Sequence, residues 1–136
     1  MAQMLTCDIV TPEKKIASFE ASMVVVPAYD GEMGILSKHA PIVTVLGNGS
    51  VRCTLENNEV ERFVIDGGYV QVGNDDKVIV LADRAVKLSE IDPAALATQI
   101  SELEQQIAAL GEEGTGKAFL ETQLNWARIQ ERMASR

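Results

Sequence analysis

Short apolar runs recur about every ten residues between Leu5 and Ala85, and turn residues separate them. In the first run Leu5, Cys7 and Ile9 alternate with polar residues, as expected of a strand with one buried face. Several short alternating runs at this spacing are typical of an antiparallel sandwich or barrel. We therefore predict an all-β sandwich domain over residues 1–86.

Glycine and polar clusters mark the predicted turns of this region. We predict a turn at Gly47–Gly49 between two strands and a hairpin reversal at Glu56–Glu59. Gly67 and Gly68 stand at the start of a further strand, where they indicate a β-bulge or a close approach of two backbones. The last strand is predicted at Lys77–Ala82.

The apolar period changes to that of a helix after residue 86. Asp92 can cap a helix whose first turn contains Pro93, because proline lacks an N–H that this turn leaves unpaired. A narrow apolar seam then follows at spacings of four and three: Leu96, Ile100, Leu103, Ile107 and Leu110. A second helix should begin near Lys117, so residues 87–136 are predicted to form an antiparallel helical hairpin.

The second predicted helix carries two apolar stripes. One contains Phe119, Thr122, Trp126, Ile129 and Met133, and the other contains Leu120, Leu124, Ala127 and Ala134. One stripe can pair with the first helix. The other then needs a second docking surface, either on the β domain or on another subunit.

The stretch Val26–Pro41 contains the densest set of backbone signals. Pro27 is predicted to end the preceding strand, and Asp30-Gly31 to form a tight reversal. Gly34 would permit a second bend, and Pro41 would force the chain to leave in an extended conformation. We predict a rigid loop with an exposed acidic tip.

Charge and length limit the classes of partner. Twenty acidic against twelve basic residues give a net charge of −8, which disfavours nucleic acid and anionic membrane surfaces. The first residues show no secretory signal pattern, and no stretch of about 18 apolar residues is available to span a bilayer. We expect a protein of the cytosolic compartment without direct lipid insertion.

The candidates for metal or acid–base chemistry are few. Cys7 and Cys53 lie in alternating strand patterns and are predicted to be reduced core thiols. A zinc site built from them and His39 lacks any short ligand spacing. His39 also has no recognisable nucleophile, so it is predicted to anchor a loop, and we predict no catalytic residue, metal or cofactor.

The segment Gly111–Lys117 has the spacing of a phosphate-binding loop. Ala118 stands where a Ser or Thr should hold magnesium, and the segment follows a helix rather than a strand. A turn between helices is therefore favoured over a small nucleotide-hydrolysing enzyme. A stand-alone interaction adaptor fits the periodicities as well, and it stays the main alternative at this point.

Two motifs are similar to one known family. Pro27–Pro41, and Gly67–Val72 with Val78–Ala85, resemble the epsilon subunit of bacterial F-type ATP synthases. The resemblance implies a non-catalytic central-stalk subunit at the cytoplasmic face of the plasma membrane. It would couple rotation of the c-subunit ring to ATP synthesis, with the gamma subunit as partner. Its C-terminal helices would regulate ATP hydrolysis through conditional contact with the alpha/beta hexamer.

The resemblance also implies roles for individual residues. Contact with the c-ring would involve Tyr29, Asp30, Glu32 and Met33, and contact with gamma would involve His39, Ala40 and Pro41. Regulatory contact with the beta subunits would involve Arg128, Arg132 and Arg136, which repeat every four residues.

Some family members bind ATP through an Ile/Leu-Asp-x-x-Arg-Ala motif. This chain keeps Ile91 and Asp92, but Ala95 replaces the arginine and Leu96 the alanine. Without a guanidinium a phosphate loses a charge-assisted, bidentate donor. The departure from the motif predicts weak or absent ATP binding.

Overall fold

The computed structural model describes residues 3–111 and 114–135, and the chain divides into two compact units between Ser89 and Glu90. Eight strands form the first unit: β1 Leu5–Val10, β2 Lys15–Ala21, β3 Met23–Ala28, β4 Gly31–Leu36, β5 Ile42–Thr54, β6 Val60–Val72, β7 Lys77–Ala82 and β8 Ala85–Lys87. A short 3-10 helix, Leu88–Glu90, follows. The predicted division after residue 86 falls inside β8.

The strands are paired in the order β2-β1-β7-β6-β5-β3-β4, and β8 pairs with β6. β1 runs parallel to β7, whereas the other pairs are antiparallel. The apolar residues of the alternating runs are the buried ones, Leu5, Cys7 and Ile9 among them, as predicted. Phe63 is the largest fully buried side chain, and its ring centroid lies 5.8 Å from that of Phe19.

The predicted turn at Gly47–Gly49 is wrong. β5 and β6 are continuous strands of 13 residues each, and the glycines lie in their middle. Leu46 pairs with Gly68 and Asn48 with Asp66, so both strands of the ribbon carry glycine at the same level. β6 pairs with β7 from Gly68 to Val72 and with β8 from Phe63 to Ile65. The glycines therefore lie where the long β5–β6 ribbon changes its neighbour from β7 to β8.

Gly68 is the site of the predicted close backbone approach. A Cβ atom at this position would lie 2.0 Å from the carbonyl oxygen of Leu81 and 2.9 Å from the Cα of Ala82. Its φ of +120° also belongs to a region that L residues rarely adopt. Only glycine fits here without moving β7.

Pro27 and Gly34 do not interrupt their strands, contrary to the prediction. Pro27 lies in β3 opposite Glu32, and Gly34 lies in β4 opposite Val25. Pairing between β3 and β5 is irregular between Val25 and Ala28, so the ladder tolerates a residue that has no N–H to donate. Most of the predicted loop is therefore a β-hairpin.

The second unit consists of α1 (Pro93–Leu110) and α2 (Lys117–Ala134), so the predicted sandwich with a helical hairpin is confirmed. Asp92 caps α1 as predicted, because its Oδ1 accepts hydrogen bonds from the amides of Ala94 and Ala95 at 3.1 and 3.3 Å. The apolar core of the hairpin contains Leu96, Ile100, Leu103, Leu124 and Ala127, with Ile91, Ile107 and Leu120 beside them. The second stripe of α2 is thus the one that faces α1.

Asp8 is a buried carboxylate held between β1 and β2. Ser18 Oγ donates to its Oδ1 at 2.6 Å, and Lys15 Nζ lies 3.6 Å from its Oδ2. The hydrogen bond from Ser18, helped by the charge of Lys15, lowers the pKa of Asp8 below its usual 3.8, although burial opposes this. The ionised form is therefore favoured in the folded state.

Replacing Ser18 by alanine should destabilise the protein by about 1.5–3 kcal/mol at neutral pH. Because the folded-state pKa is the lower one, this contribution is present above pH 3.8 and is lost as the pH falls through the folded-state value. The unfolding free energies of wild type and S18A, measured with denaturant, should therefore converge as the pH falls below the folded-state pKa of Asp8. T6A is the control, since it removes an exposed hydroxyl–carboxylate hydrogen bond, that of Thr6 with Glu20, between the same two strands. A difference independent of pH would contradict this account.

Candidate functional site

The tip of the β3–β4 hairpin consists of Tyr29 and Asp30. Both side chains are exposed, and 74% of the Tyr29 surface is accessible. The amide of Tyr29 donates to the carbonyl oxygen of Val45 at 3.2 Å, which ties the tip to β5. The hairpin therefore presents an aromatic and an acidic side chain on an anchored backbone.

The residues after the turn alternate between the two faces of β4. Glu32 is exposed and forms an ion pair with Arg52 of β5, with Oε2 2.6 Å from Nη1. Met33 lies on the opposite face and packs partly against the core. Of the four residues predicted to contact the c-ring, the structure places Tyr29, Asp30 and Glu32 on the surface and turns Met33 inward.

The exit from β4 is fixed by Asp76, which lies between β6 and β7. Its Oδ1 accepts a hydrogen bond from the amide of Lys38 at 2.6 Å, and its Oδ2 lies 3.0 Å from Ser37 Oγ. Lys38 has a φ of +65°, which these bonds help to hold. The segment that leads to Pro41 is therefore positioned from the β6–β7 turn.

His39 lies in this segment and is half-buried. Its amide donates to the carbonyl oxygen of Leu36 at 3.1 Å, and its Nδ1 is 2.7 Å from the carbonyl oxygen of Ala40. Both bonds are local, so His39 stabilises the turn. Ala40 and Pro41 are exposed, and a groove between Pro41 and Asn74 runs beside them.

An exposed apolar row crosses the outer face of the sheet next to this groove. Val45, Tyr69 and Leu81 are direct neighbours on β5, β6 and β7, and each is more than 40% exposed. Val43 lies in the adjacent row and is more exposed still. Rows of exposed apolar side chains of this kind mark surfaces that bind another protein. The sequence alone could have indicated this row, because Val45, Tyr69 and Leu81 are apolar at strand positions that point away from the core.

Cys7 and Cys53 are the two buried thiols of the core. Their sulfur atoms are 3.8 Å apart and both residues are inaccessible to solvent. The neighbouring thiol and burial in an apolar environment raise the pKa of Cys7, so its reactive thiolate is rare. These groups belong to the packing of the sandwich.

The basic residues predicted on α2 have different surroundings. Arg128 forms an ion pair with Glu104 of α1, with Nη2 2.9 Å from Oε2. Arg132 is exposed, and Arg136 lies outside the described residues. None of the helices in the described part of the chain combines the length and apolar character needed to cross a bilayer.

The two residues kept from the nucleotide motif have structural roles. Asp92 uses its Oδ1 to cap α1, and Ile91 packs against the core of the hairpin. Ala95, which replaces the arginine of the motif, is exposed on the first turn of α1. In the segment with phosphate-loop spacing, α1 ends at Leu110 and α2 begins at Lys117, so the segment joins two helices. Glu112 and Glu113 lie outside the described residues.

Comparison with known proteins defines the class to which this fold and hairpin belong. Residues 4–88 match the family model of the beta-sandwich domain of the ATP synthase delta/epsilon chain. The chain therefore belongs to the ATP synthase delta/epsilon chain family, and the predicted family is confirmed.

Individual relatives agree on the particular subunit. The chain is 38% identical over 113 residues to the ATP synthase epsilon chain of Desulforamulus reducens, covering 83% of this chain and 84% of the relative. It is 41% identical over 108 residues to that of Stenotrophomonas maltophilia K279a, covering 79% and 76%. Both relatives are epsilon chains, so the prediction of a non-catalytic subunit of a larger synthase is confirmed.

Two solved structures share the fold. A chain of the Euglena gracilis mitochondrial ATP synthase, from an OSCP/F1/c-ring assembly, superimposes with a TM-score of 0.72 at 22% identity. The alignment covers 98% of this chain and 81% of that one. A chain of the central stalk/c-ring of Tetrahymena thermophila mitochondrial ATP synthase gives a TM-score of 0.57 at 19% identity, covering 96% of both chains.

Proposed function

We propose that this chain is the central-stalk epsilon subunit of a rotary ATP synthase and couples rotation of the c-ring to ATP synthesis. The observation that carries the proposal is the anchored β3–β4 hairpin, whose tip exposes Tyr29 and Asp30 on a domain of the delta/epsilon family. Both structural neighbours come from ATP synthase assemblies whose descriptions include the c-ring, and this supports the c-ring as a partner. As part of that complex the chain would lie at the cytoplasmic face of the plasma membrane.

In this proposal the hairpin contacts the polar loops of the ring through Tyr29, Asp30 and Glu32. An exposed aromatic residue beside two carboxylates suits a loop that carries an arginine or lysine. Met33 supports the contact from the core side of β4, because its side chain packs inward. A packed sheet core deforms little under load, which suits a part that transmits torque.

The gamma subunit would contact the segment His39, Ala40 and Pro41 and the neighbouring apolar row. Asp76 holds the start of this segment in place, and Val45, Tyr69 and Leu81 offer apolar area that a partner can bury. Fixed backbone next to exposed apolar side chains favours a permanent contact over a transient one.

The helical hairpin would regulate ATP hydrolysis by reaching the alpha/beta hexamer in one of two positions. Arg128 is bound to Glu104 in the hairpin, so a contact of Arg128 with a beta subunit requires it to exchange partners. A difference of a few kcal/mol between two positions is enough to shift their populations. With Asp92 occupied as a helix cap and no arginine at position 95, we propose that ATP binds weakly or not at all.

Reversing the charge at the hairpin tip should uncouple the enzyme. We expect membranes that carry the complete synthase with D30K/E32K to lose most ATP-driven ion pumping. Two lysines would then replace the two carboxylates and repel the cationic side chain of the ring loop. The control is E56K/E59K, which makes the same two reversals on the exposed β5–β6 turn of the same domain. Unchanged pumping by D30K/E32K would refute the proposed ring contact.

A further inference from the structure

The ion pair between Glu32 and Arg52 joins two strands that are not neighbours. Glu32 belongs to β4 and Arg52 to β5, and β3 lies between them in the sheet. The side chains are 57% and 32% exposed, yet Oε2 and Nη1 are only 2.6 Å apart. The guanidinium of Arg52 therefore reaches across β3 to the outer face of the hairpin.

The neighbours of Arg52 explain this direction. On one side it faces Arg62 of β6, and like charges placed directly opposite each other repel. On the other side it faces Val25 of β3, and beyond Val25 stands Gly34 of β4. Apart from Gly34 and its two chain neighbours, no described residue would have a heavy atom within 4 Å of a Cβ at Gly34, so the hairpin side of Arg52 is open. Repulsion and free space thus both direct Arg52 toward Glu32.

We propose that Arg52 is a positioning residue for the ring contact, because it holds the Glu32 carboxylate in one orientation before the partner arrives. The inference rests on the proposed function, in which Glu32 meets a cationic side chain of a polar loop. Within the described residues the ion pair uses Oε2. A carboxylate has about four acceptor sites on its two oxygens, so Oε1 can accept a second guanidinium or an ammonium group.

Two opposing effects decide the sign of the contribution. A free glutamate loses rotamer freedom on binding, and ordering it beforehand improves affinity about two- to tenfold. Arg52 also repels an incoming cation on the far side of the carboxylate. At a separation of about 6 Å, with the dielectric constant of water and physiological salt, this repulsion reduces affinity about twofold. Under this screening the ordering effect is the larger one, so we expect Arg52 to strengthen the contact.

Binding of the central-stalk complex, the full-length chain with gamma, to c-rings in nanodiscs tests this inference. We expect E32Q to raise Kd about tenfold and R52Q about threefold. K14Q is the control, since it removes one positive charge from the exposed segment between β1 and β2 of the same unit. R52Q should add nothing in the E32Q background, whereas a general structural defect would persist there.

The outcomes separate the inference from the proposed function. If E32Q leaves Kd unchanged, the ring contact of Glu32 fails, and the role of Arg52 fails with it. If E32Q weakens binding but R52Q equals K14Q, tightens binding, or weakens it further in the E32Q background, the positioning role is overturned and the ring contact stands. The swap E32R/R52E should keep the intramolecular pair and still bind weakly, because the cation then faces the partner.

Discussion

Replacing Gly68 by alanine should destabilise the β unit by at least about 4 kcal/mol. The new Cβ would lie 2.0 Å from the carbonyl oxygen of Leu81, and backbone atoms cannot move aside as a flexible side chain can. The φ of +120° adds strain for any residue with a Cβ. To relieve both, β6 must separate from β7 where Gly68 pairs with Ala82.

Urea unfolding followed by tyrosine fluorescence measures this effect, because both tyrosines of the sequence, Tyr29 and Tyr69, lie in the β unit. G34A is the matched control. It makes the same substitution in β4, at a glycine whose added Cβ would have no neighbour within 4 Å among the described residues. We expect G34A to unfold within about 1 kcal/mol of wild type. Equal midpoints for G68A and wild type would show that the close approach at Gly68 does not restrict the chain.

The glycines in the middle of β5 and β6 show where the sequence was insufficient. A Gly-x-Gly stretch has the same local pattern whether the chain reverses or merely bends. What distinguishes the two is the partner strand: Leu46 pairs with Gly68 and Gly49 with Ile65, so the ladder between β5 and β6 continues past the glycines of both strands. Local turn chemistry could not reveal that pairing, so two long strands were predicted as four short ones.

The helical hairpin could be predicted from the sequence because its signals are local. The capping carboxylate of Asp92 and the proline after it fix the start of α1, and both act within a single turn. The seam residues Ile100 and Leu103 repeat at helical spacing, and they are the ones that α2 buries. Each signal can be read within about one or two turns of helix, so the helix bounds followed directly.

The candidate site was predictable only in part. The exposed acidic tip at Asp30 follows from the turn itself, and the resemblance indicated Glu32. The residues that hold this site in place could not be predicted in the same way. Arg52 of β5 forms an ion pair with Glu32 of β4, and these strands lie on either side of β3 in the sheet. Asp76 accepts a hydrogen bond from the amide of Lys38, which is 38 residues away in the sequence. Such contacts depend on the sheet topology, which sequence periodicity leaves open.

Introducing an aspartate at Ile100 should unfold the helical hairpin and leave the β unit folded. Ile100 is buried in the hairpin core between Leu96 and Leu103, and an unpaired carboxylate there costs about 3 kcal/mol or more. α1 and α2 have 18 residues each, and helices of this length owe most of their stability to packing against each other. We expect the cost of the buried carboxylate to exceed the stability that this packing provides. The circular dichroism signal of helix at 222 nm should decrease, and the emission of Trp126 should shift toward that of an exposed indole. The urea midpoint of the β unit, followed by tyrosine fluorescence, should stay unchanged.

Gln99→Asp provides the control for this variant, since it places the same side chain one position earlier on the exposed face of α1. We expect Q99D to retain its helical signal. In the complete synthase, I100D should assemble but hydrolyse ATP at a rate different from wild type and Q99D, because the proposed regulatory helices can no longer dock. If I100D unfolds the hairpin and ATP hydrolysis is still regulated as in wild type, the helices have no regulatory role. The β unit alone would then carry the function of the chain.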